Sequence, residues 1–260
     1  MCELLGMSAN VPTDVRFSFA GLARRGGATG PHRDGWGISF YEGRGARAFH
    51  DPRPSADSEI ARLLRDYDVK SKIVIAHVRR ANRGRVGLEN THPFARELWG
   101  RLWTFAHNGQ LKGVKRRPIG AFRPIGTTDS EHAFCWILEQ LRARFDALPP
   151  QRTLAKALEE LCVELAELGV FNVLVSEGRC LYAFCTKPLY CIERRAPFGR
   201  ATLIDEDLQV DFSQVTTPND RVSVIATAPL TRDEKWSTLP IRRLSVFCDG
   251  AMAPRIPRLQ

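Results

Sequence analysis

The sequence lacks the features that would place the protein in a membrane or export it. None of its apolar runs approaches the roughly 20 residues needed to cross a bilayer. Its first residues contain no basic stretch followed by a long apolar one, which is the pattern of a secretory signal. Internal repeats, low-complexity segments and a Gly-Lys-Ser/Thr phosphate loop are also missing. These absences predict a cytoplasmic protein that does not bind a membrane.

Cysteine is present, but not at the spacing of a zinc site. The seven cysteines are an odd number and most lie within apolar runs. Cys180, Cys185 and Cys191 are further apart than the close pairs that hold zinc. This usage predicts reduced thiols rather than disulfides, and no bound metal.

Basic residues outnumber acidic ones, 38 against 29, which gives a net charge of +9. Such a surface attracts polyanions, so a nucleic-acid partner has to be weighed. The charges are spread along the chain, and the densest group lies in a Pro/Gly-rich stretch that favours a solvated loop. That group consists of Lys112, Lys115, Arg116, Arg117 and Arg123. The pattern does not favour a nucleic-acid site, although an anionic small substrate would also be attracted.

Hydrophobic periodicity predicts strands at both ends of the chain and the two longest helices in the middle. Predicted helices cover 15–25, 58–65, 129–145 and 153–168. Predicted strands cover 2–8, 38–41, 46–49, 72–79, 101–106, 170–176, 180–185, 189–193, 221–227 and 243–248. This order favours an α+β fold with sheets covered by helices. We expect one domain over residues 2–250 and an extended C-terminal tail over 251–260.

Chemically interesting side chains occur in four short stretches, and each has an ordinary structural interpretation. Asn108-Gly109 is a typical tight-turn dipeptide, and Asp129 suits the start of a helix. Arg79 fits a surface ion pair. Cys2 is different in one respect, since removal of Met1 would leave its thiol beside a free α-amine. With a pKa of roughly 7.7–8.0, that amine can activate the thiol as a nucleophile.

Taken together, these stretches resemble the glutaminase domain of class II glutamine amidotransferases, a branch of the N-terminal nucleophile hydrolases. The matching motifs are Met1-Cys2-Glu3-Leu4, Asp34-Gly35-Trp36-Gly37-Ile38, Ile75-Ala76-His77-Val78-Arg79, Thr91-His92-Pro93-Phe94, Phe105-Ala106-His107-Asn108-Gly109 and Thr128-Asp129-Ser130-Glu131. Residues 32–43 and 226–231 resemble the stand-alone YafJ-type branch, which is related to the γ-glutamyl hydrolase of ergothioneine biosynthesis. The resemblance implies a four-layer αββα sandwich.

The resemblance also implies a catalytic centre without a cofactor. Cys2 would be the nucleophile and its α-amine the general base. Asn108 and Gly109 would form the oxyanion hole that stabilises the charge formed on the attacked carbonyl. The implied reaction is hydrolysis of the γ-amide of glutamine or a γ-glutamyl compound through a thioester on Cys2.

Four further residues are implied in substrate binding. Arg79 would hold the α-carboxylate of a glutamyl group with its planar guanidinium, and Asp129 would accept from the α-ammonium. His77 and Arg80 are expected to contribute to the same site. A zwitterion with an amide at its far end needs such a cation, anion and acyl-transfer centre.

Several alternatives stay open. The sequence after Arg79 is Arg80-Ala81-Asn82-Arg83-Gly84 instead of the Trp-Ala-Thr-His-Gly of the amino-sugar enzymes, so free glutamine need not be the preferred substrate. A separate synthase could accept the ammonia, or the amide could simply be hydrolysed. The chain could also be an acylase acting on non-glutamyl amides, for which Arg79 and Asp129 would be idle. A catalytically dead, basic partner or nucleic-acid-binding module is a further alternative.

Overall fold

The computed structural model describes residues 2–81, 85–214 and 217–254. The described helices are α1 (Arg16–Arg24), α2 (Glu59–Asp66), α3 (Asp129–Arg144) and α4 (Gln151–Ala166). The strands in the first half of the chain are β1 (Glu3–Asp14), β2 (Trp36–Glu42), β3 (Gly45–Asp51), β4 (Lys70–Val78), β5 (Phe94–Leu98) and β6 (Arg101–Leu111). Those in the second half are β7 (Gly169–Ser176), β8 (Cys180–Phe184), β9 (Tyr190–Arg195), β10 (Arg200–Thr202), β11 (Gln209–Asp211), β12 (Arg221–Ala226), β13 (Ser237–Thr238), β14 (Leu244–Cys248) and β15 (Ala251–Met252).

Two of the four described α-helices, α2 and α3, start after a residue whose side chain caps them. Ser58 precedes α2 and its Oγ accepts from the backbone N–H of Ala61. Thr128 precedes α3 in the same way and accepts from the N–H of Glu131 at 3.1 Å. Each hydroxyl satisfies one of the amide groups that the first helical turn leaves unpaired. All four predicted helices are present among the described residues, with ends shifted by a few residues.

The long strands form two antiparallel sheets. Within the described ranges, one sheet has the order β13-β9-β12-β1-β4-β2-β3 and the other has the order β15-β14-β8-β7-β6-β5. The predicted strands 38–41 and 46–49 correspond to β2 and β3, which pair as an antiparallel hairpin. Strand β1 lies inside the first sheet and pairs with β4 on one side and β12 on the other.

Alternation along the strands divides the apolar side chains among three layers of core. Leu5 and Met7 pack under α1 and α2, whereas Leu4 lies between the two sheets. On the second sheet, Phe105 packs towards α3 and α4, whereas Ala106 faces the first sheet. Successive side chains of a strand point to opposite faces, so each sheet has one helix-covered face and one face against the other sheet. This arrangement is the αββα sandwich.

Strand β6 differs from the expectation. The predicted strand ended at residue 106 and left Asn108-Gly109 open to interpretation as a turn. In the structure β6 continues through both residues, with Asn108 opposite Asn172 and Gly109 opposite Phe171 on β7. The long-range ladder outweighs the local turn preference of the dipeptide.

The prediction that all cysteines are reduced is wrong for one pair. Cys180 and Cys248 form a disulfide between β8 and β14. The two residues are directly opposite in the register of these strands, with 4.6 Å between their Cα atoms. That distance lies within the range that a disulfide bridges. The sequence separation of 68 residues gave no indication of this neighbourhood.

In the part of the chain that the structure describes, no helix is both long and apolar enough to span a bilayer. The cytoplasmic location stays a prediction. The predicted tail begins with β15, which pairs Ala251 with Cys248. Residues 255–260 of that tail lie outside the described residues.

The closeness of the two sheets predicts the effect of a side chain at Gly6. A Cβ atom there would lie 2.8 Å from Leu181 Cδ2, in the layer between the sheets. We expect Gly6→Val to lower the free energy of unfolding by roughly 1–3 kcal/mol through overpacking. Urea unfolding measures this change. Gly199→Val is the matched control, since no atom lies within 4 Å of a Cβ there; equal midpoints for both variants would contradict the prediction.

Candidate active site

The strand alternation places Cys2 and Asn108 on facing sheets. Leu4 and Gly6 of β1 face the second sheet, and Cys2 continues that alternation one step before the strand. On β6, Ala106 faces the first sheet, and Asn108 follows it by two residues. Both side chains therefore point into the layer between the sheets, at the same end of that layer.

The backbone nitrogen and the sulfur of Cys2 each form a hydrogen bond with another part of the chain. Its backbone nitrogen donates to Asn108 Oδ1 at 2.8 Å. Its sulfur accepts from the backbone N–H of Arg80 at 3.3 Å. Burial raises the pKa of the thiol, and the Arg80 N–H opposes that rise because it favours the thiolate. The nitrogen would be the α-amine of the chain once Met1 is removed.

The start of β1 is fixed by bonds from other elements. Leu4 N donates to Thr227 Oγ1 at 2.8 Å, and Thr227 N donates back to Leu4 O at 3.2 Å. Glu3 accepts from the guanidinium of Arg25 at 3.0 Å, and the same guanidinium donates to Asp205 at 2.8 Å. These bonds fix Glu3 and Leu4, and they thereby limit the movement of Cys2, which directly precedes them.

Arg79 follows β4 and is almost fully buried. Its guanidinium donates to the backbone oxygens of Asp34 and Arg85, each at 3.3 Å. These two bonds leave further N–H groups of the guanidinium for another partner, because arginine carries five donors. The expectation of a surface ion pair for Arg79 is therefore not met.

Asp129 is the first residue of α3 and stands beside the end of β6. Its Oδ2 accepts from the backbone N–H of Leu111 at 2.7 Å. This hydrogen bond links the start of α3 to the end of β6. The carboxylate has capacity for further donors, since its two oxygens offer about four lone-pair sites.

Three buried histidines lie around this end of the sheets. Burial is the main cause that lowers the pKa of His77, to about 3, and that of His92, well below its usual value. Burial also lowers the pKa of His107, although the carboxylate of Asp129 acts in the opposite direction. The His77 and His92 rings are 4.2 Å apart between centroids. All three are neutral at neutral pH, so arginine and lysine supply the positive charge of the site.

A cavity of about 680 Å³ joins most of the predicted site residues. Its lining includes Cys2, Arg79, Arg80, Asn108, Gly109 and Asp129, which come from the chain start, the segment after β4, strand β6 and helix α3. His77 is fully buried and does not line the cavity, so it lies behind the wall rather than in contact with a bound molecule. Residues 82–84 of the loop after Arg79, including Arg83, lie outside the described residues.

The predicted basic cluster divides between the cavity and the surface. Lys112 and Lys115 line the cavity, and Lys115 Nζ donates to Thr127 O at 2.6 Å. Arg117 lies over the Trp136 ring and pairs with Glu164, outside the cavity. Both lysines are exposed, as expected for a solvated stretch, and they also place part of its charge at the cavity.

Three side chains in this region have buried polar atoms without a hydrogen-bond partner among the described residues. Asn108 Nδ2 is buried and unpaired although its Oδ1 holds Cys2. Both ring nitrogens of His77 and both ring nitrogens of His92 are also unpaired. A buried amide without a partner is costly, typically by about 1–3 kcal/mol, and such groups are concentrated at functional sites. Across the described ranges, no cluster of His, Cys, Asp or Glu is placed to hold a metal ion.

Solved structures share this fold. A glutamine phosphoribosylpyrophosphate amidotransferase from B. subtilis superposes with a TM-score of 0.60 at 17% identity, covering 97% of this chain and 48% of that chain. A structure from Pseudomonas aeruginosa described as a "predicted glutamine amidotransferase" gives a TM-score of 0.78 at 48% identity, with 98% and 100% coverage. The fold is that of the N-terminal nucleophile hydrolases.

Sequence comparison identifies the family. The model of the class-II glutamine amidotransferases matches residues 1–258. "Putative glutamine amidotransferase YafJ" of Escherichia coli is 59% identical over 96% of this chain and 98% of its own length. A Haemophilus influenzae protein named "Putative glutamine amidotransferase" is 46% identical over 96% of this chain and 85% of its own length. The chain belongs to the class-II glutamine amidotransferase family.

Proposed function

We propose that this protein hydrolyses the γ-amide of glutamine or of a γ-glutamyl compound through a thioester on Cys2. The observation that carries the proposal is the pairing of Cys2 N with Asn108 Oδ1, which leaves Asn108 Nδ2 buried and unpaired. One side chain thereby orients the terminal nitrogen and keeps an amide donor for an oxyanion. Arg79 and Asp129 line the same cavity and supply the cation and anion that a glutamyl zwitterion needs.

The proposed reaction begins after Met1 is removed. The α-amine of Cys2 takes the thiol proton, and the sulfur attacks the γ-carbonyl carbon. The resulting oxyanion is stabilised by Asn108 Nδ2 and the backbone N–H of Gly109. The C–N bond then breaks, and the departing nitrogen takes the proton from the ammonium. Water, deprotonated by the same amine, hydrolyses the thioester to release glutamate and restore the thiol.

The glutamyl group is proposed to lie between Arg79 and Asp129. The Arg79 guanidinium has donors left for a carboxylate, and Asp129 keeps acceptor capacity beyond its bond to Leu111 N. Buried charge-assisted bonds of this kind fix a substrate more firmly than solvent-exposed ones. A separate ammonia-accepting synthase is a proposed partner only where ammonia is the leaving group.

A diazo-ketone glutamine analogue tests the proposal directly. We expect purified protein to lose the mass of Met1 and to gain one analogue adduct on Cys2, as measured by intact mass and peptide mass spectrometry. Cys2→Ser is the control and should gain no adduct. Fully processed protein that gains no adduct would favour a dead site or an acylase acting on non-glutamyl amides.

The oxyanion role of Asn108 predicts a loss of turnover. We expect Asn108→Ala to lower kcat by about 10²–10³, the usual effect of removing one such donor. Release of glutamate measures the effect. Asn10→Ala is the control because Asn10 bonds to Asn219 and Arg221, away from the cavity. An unchanged kcat for Asn108→Ala would exclude the oxyanion role.

The charge of the cavity favours a γ-glutamyl compound with an acidic leaving part over free glutamine. The described lining carries Arg79, Arg80, Lys112 and Lys115 against the single carboxylate of Asp129. Glutamine is a neutral zwitterion and leaves this cationic excess unbalanced. A cavity of about 680 Å³ also falls in the range that holds larger ligands.

A matched pair of substrates tests this preference. γ-Glutamyl-aspartate and γ-glutamyl-asparagine have nearly the same shape and differ in one negative charge. We expect kcat/KM to favour the aspartate compound by roughly two- to fivefold, the value of an exposed ion pair, and Arg80→Gln or Lys112→Gln to reduce that ratio. High salt should reduce it as well. Equal kcat/KM values at low salt would reject the acidic leaving part.

A further inference from the structure

Asp34 and Gly35 together make four hydrogen bonds to the short segment after β4, three of them from Asp34. Its backbone N–H donates to Arg79 O at 3.1 Å, and its backbone oxygen accepts from the Arg79 guanidinium at 3.3 Å. Its carboxylate accepts from the backbone N–H of Ala81 at 2.7 Å. The neighbouring Gly35 oxygen accepts from Arg79 N at 2.8 Å. The Asp34-Gly35 pair therefore holds the segment through Arg79 and Ala81, the two neighbours of Arg80.

The geometry of this contact depends on Gly35. Its φ of +109° lies in a region that residues with a Cβ rarely adopt. A Cβ there would also meet Thr91 Oγ1 at 3.1 Å and Asp51 O at 3.2 Å. The glycine lets the chain turn directly after Asp34, so that the Asp34 carboxylate faces Ala81 while β2 begins at Trp36.

The held segment is the one that contacts the nucleophile. Arg80 lies between Arg79 and Ala81, and its backbone N–H donates to Cys2 Sγ at 3.3 Å. This is the only hydrogen bond to the sulfur from a donor N–H within the described residues. Arg80 N is placed by its two neighbours, and both of these are bonded to Asp34.

We propose that Asp34 is a positioning residue that holds the Arg80 backbone N–H against the sulfur of Cys2. The carboxylate does not touch the sulfur and acts through the bond to Ala81 N. A donor fixed in advance stabilises the thiolate more than a donor on a free segment, because no ordering of the chain is needed when the charge forms. Its expected effect on turnover rests on the proposed function, whereas its effect on the thiol does not.

Two substitutions of the Asp34 side chain are expected to have different effects. Asp34→Ala removes the acceptor for Ala81 N and releases that side of the segment. Asp34→Asn retains an oxygen that can accept from Ala81 N, while it removes the charge and replaces the other oxygen with an NH2 group. If the acceptor is what matters, asparagine should restore most of what alanine loses.

Alkylation of Cys2 by iodoacetamide, followed across pH, tests the proposal without any glutamyl substrate. Peptide mass spectrometry separates Cys2 from Cys135, Cys162, Cys185 and Cys191, which are buried free thiols. We expect Asp34→Ala to raise the pKa of the Cys2 thiol by about one unit, which corresponds to loss of part of a hydrogen bond to a charged group. At neutral pH its alkylation rate should fall by up to about tenfold.

Matched controls separate this role from a general loss of stability. Asp57→Ala removes an exposed carboxylate elsewhere and should leave the Cys2 profile unchanged. Asp34→Asn should retain the profile of the unsubstituted chain. A thiol pKa that is the same in Asp34→Ala and the unsubstituted chain would overturn the proposal, as would an equal shift in Asp34→Asn.

A second measurement covers the case in which Asp34→Ala does not fold. In the unsubstituted chain, hydrogen exchange of the Ala81 and Arg80 amides should be slow, since both amides are bonded. In folded Asp34→Asn, the rate of hydrogen exchange at the Ala81 amide should exceed that of the unsubstituted chain by less than about tenfold. Fast exchange of both amides in the unsubstituted chain would show that the segment is not held, and the proposal would fail whether or not the protein hydrolyses glutamyl compounds.

Discussion

The hydrogen bond between Cys2 N and Asn108 Oδ1 is the contact on which the site depends. It joins the start of one sheet to an interior residue of a strand in the other, across 106 positions of sequence. Its length of 2.8 Å requires that the sheets keep their separation and register. The packing of Leu4 against the apolar side chains of the second sheet provides that constraint. The geometry of Cys2 therefore depends on the stable packing of the layer between the sheets.

A second constraint acts on the sulfur rather than on the nitrogen. The thiol is buried, and burial raises its pKa because a charge there loses its hydration. The Arg80 N–H and the positive charge of the Arg79 guanidinium oppose that effect. Burial and these two groups thus act in opposite directions on the pKa of the thiol. The neutral state of His77, His92 and His107 fits this arrangement, since none of them adds a competing charge.

Periodicity in the sequence predicted most strands and all four helices because alternation and helical repeats record which face is buried. The prediction failed where pairing between strands that are distant in the sequence determines the local structure. Asn108-Gly109 has the composition of a turn, but its ladder with β7 keeps it extended. Cys180 and Cys248 looked independent, yet the register of β8 and β14 sets them opposite each other.

The site could be anticipated only in part. Resemblance to a family picked out Cys2, Arg79, Asn108 and Asp129, and the cavity contains all four. It also picked out His77, which lies behind the cavity wall. Nothing in the spacing of the sequence connected Asp34 with Ala81, 47 positions later, because the contact arises from two neighbouring strands and a turn.

The interior position of β1 sets a limit on how this chain can change in length. The strand is bonded to β4 and β12 on its two sides, so its register is held twice. One inserted residue between Cys2 and Leu4 would either move Cys2 past the Asn108 amide or turn its side chain to the other face of the sheet. Substitutions near the beginning of the chain can be absorbed locally, but insertions and deletions there cannot. The spacing between Cys2 and Leu4 therefore matters as much as the identity of these residues.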